Sequence, residues 1–211
     1  MGVGESLRPY PNKDNGRWLE WSFIMANLPE KSGRVLDLGC GDGCLSAMMS
    51  LSGHTVIGID TFPVEYRIDM PNLWFTQCDV LLDGINLLPF DVIVACSTVE
   101  HIGLSGRYGQ AEDGVGDIKA MVEMGRKLRE GGYILLTVPV GKDDIIRSCC
   151  RIYGRLGLHR LLHGFDVLKD EYWHKVHGKV WERVSRDLAI GAEGNAEYSA
   201  LGTFKLKVKD G

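Results

Sequence analysis

At 211 residues, 45% of them apolar, the chain suits one domain with a full core. A net charge of −4 and an isoelectric point near 5.9 argue against a general nucleic-acid binder, whose surface is usually basic. No stretch approaches the ~18 uninterrupted apolar residues of a membrane helix.

Residues 1–10 lack the basic start and apolar run of a secretory leader. Met1-Gly2-Val3-Gly4-Glu5-Ser6 fits the loose pattern for myristoylation, which is degenerate enough to arise by chance or from a cloning remnant. Trp18, Trp21, Met25 and Leu28 then recur at helical spacing until Pro29, which predicts a helix within an N-terminal segment 1–30. Arg34-Val35-Leu36-Asp37-Leu38 reads as a short buried strand, residues 39–43 as a glycine-rich turn, and residues 44–51 as a helix closed by Ser52-Gly53. Further strands are expected at 55–59, ending on Asp60, at 73–78 and at 91–96. A glycine-rich loop covers 102–116, and a helix follows with Ile118, Met121, Val122, Gly125 and Leu128 on one face. Gly131-Gly132 end that helix before a fifth strand at 133–138. A sixth strand is expected within 165–173 and a loop at 191–199. At 203–209, Phe204, Leu206 and Val208 alternate with Lys205, Lys207 and Lys209, the period of a strand with one polar face. Strands alternating with helices predict an α/β domain with a mainly parallel sheet over 1–211. The cysteines at 40, 44, 78, 96, 149 and 150 form no C-x-x-C pair, and several lie in apolar runs. That usage predicts a cytoplasmic protein without a zinc site or disulfide framework.

The chemistry concentrates at Asp37-Leu38-Gly39-Cys40-Gly41-Asp42-Gly43. A strand feeding a tight glycine turn lets a ligand approach the backbone, where side chains would block it. The dinucleotide fingerprint is G-x-G-x-x-G, whereas here the spacing is G-x-G-x-G and Cys44 takes the sixth place. A carboxylate at Asp37 sits poorly beside a pyrophosphate and suits a ligand carrying an ammonium and a sulfonium. Asp60, about 20 residues past the first glycine at the end of a strand, is placed to bond ribose hydroxyls. Phe62 could stack on an adenine or belong to the core. Asp79 could accept from an adenine amino group or cap its own loop.

These segments resemble the class I S-adenosylmethionine (SAM) dependent methyltransferases. The residues carrying the likeness are the D-x-G-x-G turn from Asp37 to Gly41, Asp60, Asp79, and Leu128-Arg129-Glu130-Gly131-Gly132-Tyr133, which resembles the family's L-x-x-G-G lead into its fifth strand. The match spans 35–139, about half the chain. The resemblance implies a Rossmann-like methyltransferase fold, seven strands with the last antiparallel, and SAM as cofactor. It implies a cofactor site made of Asp37, Leu38, Gly39, Cys40, Gly41, Asp60, Thr61, Phe62, Cys78, Asp79, Val80 and Ser97. A finer likeness, to an uncharacterised methyltransferase-like family, rests on Ser97-Thr98-Val99-Glu100-His101-Ile102-Gly103-Leu104, Gly106-Arg107-Tyr108-Gly109, Gly116-Asp117, Val138-Pro139-Val140-Gly141 and Arg151-Ile152-Tyr153-Gly154. The chain departs from it at Leu104-Ser105-Gly106-Arg107, where a shorter run is expected, and the likeness supplies no substrate.

Methyl transfer needs a general base only when the acceptor must lose a proton. His101, with Glu100 beside it, is the candidate, because it follows the fourth strand at the edge where ligands bind in open α/β sheets. It could equally cap backbone. Glu100-His101 is similar to the Glu-x-x-Glu-His of metal-dependent RNA ribose methyltransferases, but Ser97 replaces the first glutamate, so no metal is expected. His159 with His163, and His174 with His177, read as solvated surface pairs. The loop 102–116 is long enough to be an active-site lid with glycine hinges, offering Arg107 and Tyr108 to an acceptor, or else plain disorder. Arg147, Arg151 and Arg155 are spaced for one face of a helix, with Ile145, Cys149, Ile152 and Leu156 on the buried face, an arrangement that would grip an anionic acceptor or form a plain solvated row. Against the helix, Gly154 and Gly157 interrupt its pattern, and the family likeness implies a turn near Tyr153-Gly154. The expected reaction is methyl transfer to a small molecule, a sugar or glycoconjugate intermediate, and not to nucleic acid. The alternatives are a catalytically silent SAM-binding module and an NAD-dependent oxidoreductase.

Overall fold

The structure, a computed structural model, describes residues 16–64, 70–83, 89–108, 111–176, 180–193 and 199–209. The Met1 to Ser6 motif and His177 lie outside them. Among the described residues no helix is long and apolar enough to cross a membrane.

Five parallel strands come first: β1 (Arg34–Leu38), β2 (Thr55–Asp60), β3 (Leu73–Gln77), β4 (Phe90–Cys96) and β5 (Leu128–Val140). β1 and β4 read as near-continuous apolar runs because helices cover both faces of the sheet. β5 is longer than its apolar run. It begins directly after helix α4 (Gly116–Lys127), and its register against β4 shifts between Phe90 and Val92. Gly132 permits that shift, since a Cβ there would lie about 3.0 Å from the carbonyl oxygens of Arg129 and Phe90.

The hairpin β6 (Asp144–Ile146) and β7 (Cys150–Ile152) leaves the sheet, and α5 (Arg155–Leu161) follows. The chain then returns as β8 (Phe165–Val176), β9 (Val180–Val184), α6 (Arg186–Ile190) and β10 (Ala200–Val208). Strand order is β3-β2-β1-β4-β5-β10-β8-β9. β10, the last strand, runs antiparallel between β5 and β8, as expected. Among the described residues the count differs: β9 adds an eighth strand beyond β8.

One face of the sheet packs Leu36, Ile93, Leu136 and Phe204 against Met121 and Met124 of α4 and Leu158 of α5. The other packs Val35, Val92 and Leu135 against Phe23 and Ile24 of α1 (Arg17–Ala26) and Met49 of α2 (Cys44–Leu51). Two helical stripes are rotated from the expected ones. α1 buries Leu19, Glu20, Phe23 and Ile24, leaving Trp18 half-exposed, and α4 buries Ala120, Met121 and Met124 while Val122 faces outward. The predicted helix carrying Arg147, Arg151 and Arg155 does not form. Arg147 and Ser148 take left-handed φ at the hairpin turn, Gly154 is extended, and Asp143 accepts from the amides of Gly154, Leu156 and Gly157 to start α5. Arg147 and Arg155 are exposed and Arg151 is buried, so the three share no face.

β1 is flanked by β2 on one side and β4 on the other, so the chain reverses direction across the sheet between them. Open α/β sheets bind ligands at the carboxyl ends of such strands. Gln77, Asp60, Leu38 and Cys96 end four adjacent strands there.

Candidate functional site

The turn after β1 is built by left-handed residues. Gly39 has φ +71°, and a Cβ on it would lie 2.3 Å from Thr98 Cγ2, so the turn packs onto the end of β4. Gly41 has φ +56°, and a Cβ there would meet nothing within 4 Å. Glycine at 41 therefore keeps backbone open to the crevice instead of relieving a clash. The amides of Gly39 and Cys40 both donate to Ile59 O (2.8 and 3.1 Å), tying the turn to β2.

Asp37 lies under this turn and is almost fully buried. Its Oδ2 accepts from Ser46 Oγ at 2.6 Å, while its Oδ1 has no partner among the described residues. Burial pushes its pKa up to about 6; Ser46 opposes the shift, Asp60 adds to it, and Arg17 lowers it. A buried carboxylate with one unfilled oxygen is a place for a cationic hydrogen-bond donor. The Cys40 thiol beside it is buried, and desolvation followed by the Asp37 charge drives its pKa well up, so it packs and does not react.

Asp60 Oδ2 accepts from Gly41 N (2.9 Å), and its Oδ1 accepts from Phe62 N (3.1 Å) and lies 3.5 Å from Thr61 Oγ1. The turn and the β2 end thus orient one carboxylate. Phe62 is half-exposed beside it, not core. Cys78 N donates to Asp60 O, which joins the third strand end to this arrangement. Asp79 Oδ1 accepts from Leu81 N (2.8 Å), so one of its oxygens caps the turn that follows. Leu38 and Val80 are core side chains.

Ser97, just past β4, has φ +48°, a conformation unusual for a side-chain-bearing residue and often found where function over-determines the backbone. Its amide meets Thr137 O (3.1 Å) and Oγ1 (3.0 Å), and its hydroxyl donates to Glu20 Oε1. Glu20 also accepts from Thr137 Oγ1 (2.7 Å) and pairs with Arg17 (3.3 Å), whose Nη1 approaches Cys96 Sγ at 3.3 Å. Sequence reasoning missed Arg17, Glu20 and Thr137, and met Thr98 only within the family likeness. The available signal was Glu20 itself, a charge inside the apolar stripe of α1.

A second polar cluster follows β4. His101 is buried, and its Nδ1–H donates to Cys149 O, so in the neutral ring the lone pair resides on Nε2. Nε2 lies 3.8 Å from Glu100 Oε1. Arg151 donates from Nη1 to Ile102 O (2.7 Å) and from Nη2 to Asp113 O (3.2 Å), with Nε 3.6 Å from Asp117 Oδ2. Tyr153 donates to the same Asp117 oxygen (3.0 Å). In the loop 102–116, Gly103 and Gly116 are closely packed: a Cβ on Gly103 would lie 2.4 Å from Asp113 O, and one on Gly116 would lie 2.9 Å from Gly103 Cα. The side chains of Arg107 and Tyr108 lie outside the described residues. His159 and His163 are exposed, and no metal-holding group occurs among the described residues.

Over residues 86–182 the chain matches a family described as Caenorhabditis protein of unknown function, DUF268. The match contains the whole second cluster. The chain is 28% identical over 131 residues to a ubiquinone biosynthesis O-methyltransferase of Caulobacter sp. (strain K31), a stretch covering 53% of this chain and 51% of that protein. The chain thus spans about half the length of this curated relative. Its fold matches the N-methyltransferase NodS of Bradyrhizobium japonicum WM9, solved with S-adenosylhomocysteine (TM-score 0.63, 14% identity, 96% of this chain and 92% of that one). It also matches the cyclase SpnF (TM-score 0.64, 17% identity, 92% and 81%). The chain has the fold of class I SAM-dependent methyltransferases.

Proposed function

We propose that the chain binds SAM and transfers its methyl group to a small-molecule acceptor. Asp37 carries the reading: a buried carboxylate with one oxygen unfilled, beneath a turn whose Gly41 opens onto the crevice. A pyrophosphate would be repelled there, whereas an ammonium beside a sulfonium fits.

Asp37, Leu38, Gly39, Cys40 and Gly41 would hold the methionine portion, and Asp60 with Thr61 the ribose. Phe62, Cys78, Asp79 and Val80 would bound the adenine, and Ser97 the β4 side. When bound, SAM supplies a methyl group already activated on sulfur, so the chain's main task is to position the acceptor. His101 and Glu100 form the candidate proton-handling pair. The Nδ1–H bond to Cys149 O orients the ring, and Glu100 would stabilise an imidazolium formed at Nε2. The acceptor we favour is a sugar or glycoconjugate intermediate. Arg147, exposed at the hairpin turn, remains available to an anionic group on it, whereas Arg151 turns inward. Cysteine usage favours a cytoplasmic setting.

Calorimetry with S-adenosylhomocysteine, SAM and NAD tests the central claim. Micromolar binding of the first two and none of NAD is expected, and a folded protein that binds neither SAM nor S-adenosylhomocysteine would refute it. Loss of labelled methyl from SAM to an acceptor separates an enzyme from a silent binding module.

A further inference from the structure

The loop after β4 and the hairpin after β5 approach from opposite directions in sequence, and their meeting point is buried and charged. Arg151 is the centre of it. A buried guanidinium is tolerated only where its donors are filled, and here each branch of the fork has a different partner. Nη1 takes the carbonyl of Ile102, at the start of the loop; Nη2 takes the carbonyl of Asp113, near its end; Nε faces Asp117, at the start of α4. The two loop ends are thereby held together, and Asp113 N completes the closure by donating to Gly103 O at 2.9 Å.

Arg151 is itself fixed to the sheet. The next residue but one, Tyr153, donates its amide to Pro139 O and its hydroxyl to Asp117, and Gly141 N donates back to Tyr153 O. On the other side, Gly106 N donates to Ser148 O, and a Cβ on Gly106 would lie 2.5 Å from that oxygen. Loop and hairpin therefore touch at three places, and the third is the bond from His101 Nδ1 to Cys149 O, two residues before Arg151.

We infer that Arg151, held by Asp117 and Tyr153, is a positioning residue: it clamps the loop ends onto the hairpin and so fixes the imidazole of His101 on the acceptor side of the site. That His101 faces the acceptor rests on the function proposed above, whereas the clamp depends only on the contacts of Arg151. Lysine cannot replace the arginine, because a single ammonium cannot span two carbonyls and a carboxylate.

The test uses Arg151→Lys and Tyr153→Phe in the full chain. Hydrogen exchange is read by mass spectrometry, the His101 Nδ1–H resonance by NMR, and S-adenosylhomocysteine affinity by calorimetry. In both variants exchange should rise about tenfold or more in residues 103–108, 111–116 and 144–150, with the β1, β4 and β5 amides unchanged. The Nδ1–H signal should broaden or vanish, and ligand affinity should stay within about twofold, since neither residue belongs to the cofactor crevice. Unchanged loop exchange with an intact Nδ1–H signal would overturn the inference. So would exchange raised equally throughout the sheet, which would make the cluster ordinary core. If Arg151→Lys fails to fold, Tyr153→Phe, which removes one hydroxyl, gives the same reading alone. A wild type that shows the protected loop but binds no S-adenosylhomocysteine defeats the functional reading and leaves the clamp standing.

Discussion

Replacing Asp37 by Asn removes the buried charge while keeping the shape of the side chain and an oxygen for Ser46 to donate to. Moving a carboxyl from an ordinary 3.8 to about 6 corresponds to roughly 3 kcal/mol at about 1.36 kcal/mol per tenfold in acidity. The sign follows from proton binding. Between pH 3.8 and about 6 the folded state holds the proton more tightly than the unfolded one, so this group's contribution falls as pH rises and levels off above the folded value. With those two values, roughly 2 kcal/mol of the loss falls between about pH 4.5 and about pH 7.5. The Asn variant lacks the titration. Urea unfolding followed by circular dichroism at both pH values should show wild type losing about 2 kcal/mol relative to the variant on going to the higher pH, with all other titrating groups common to both. A difference between the proteins that does not change with pH would refute the reasoning. The same substitution should weaken SAM binding by about 1–3 kcal/mol, the range for losing a charged hydrogen-bond partner. The free protein would then gain stability, relative to wild type, as its ligand affinity falls.

A cationic group brought against Asp37 lowers its pKa, so SAM binding near pH 6 should release protons; calorimetry in two buffers of different ionisation enthalpy measures the number, and none released would place the cation elsewhere. Gly41→Ala should fold with a penalty of about 1–2 kcal/mol for its left-handed backbone, because no atom opposes the new Cβ, yet lose about tenfold or more in SAM affinity; tight binding by this variant would mean that the ligand does not approach Gly41. Asp60→Ala should cost about 1–3 kcal/mol of SAM binding with a smaller effect on unfolding, as the carboxylate is only half-buried. His101→Ala should leave SAM affinity within about twofold and lower turnover by roughly 10²-fold for an acceptor that must lose a proton, whereas unchanged turnover on such an acceptor would make His101 a backbone cap.

The glycine turn after β1 and its neighbouring strand end were legible in the sequence because their parts are local. A strand, a glycine turn and a carboxylate at the next strand end are contiguous runs whose backbone geometry follows from the residues themselves, and Asp37, Gly41 and Asp60 came together as their spacing required. The strand alternation likewise predicted the parallel sheet and the Lys-alternating last strand, though not that β9 would extend the sheet to eight strands. The polar partnerships were not legible. Glu20 meets Ser97 across 77 residues and Thr137 across 117, and only the docking angle of α1 brings that carboxylate onto the ends of β4 and β5. Arg151 looked like one of a solvent-facing helical row because a four-residue spacing suits a helix. The extended Gly154 and the Asp143 cap broke that helix, and the hairpin turned the guanidinium inward onto Ile102, Asp113 and Asp117. Residue spacing determines which groups can share a face of one element, whereas which buried polar groups satisfy each other is decided only when separate elements pack, since each must find its partner in whatever its neighbours present.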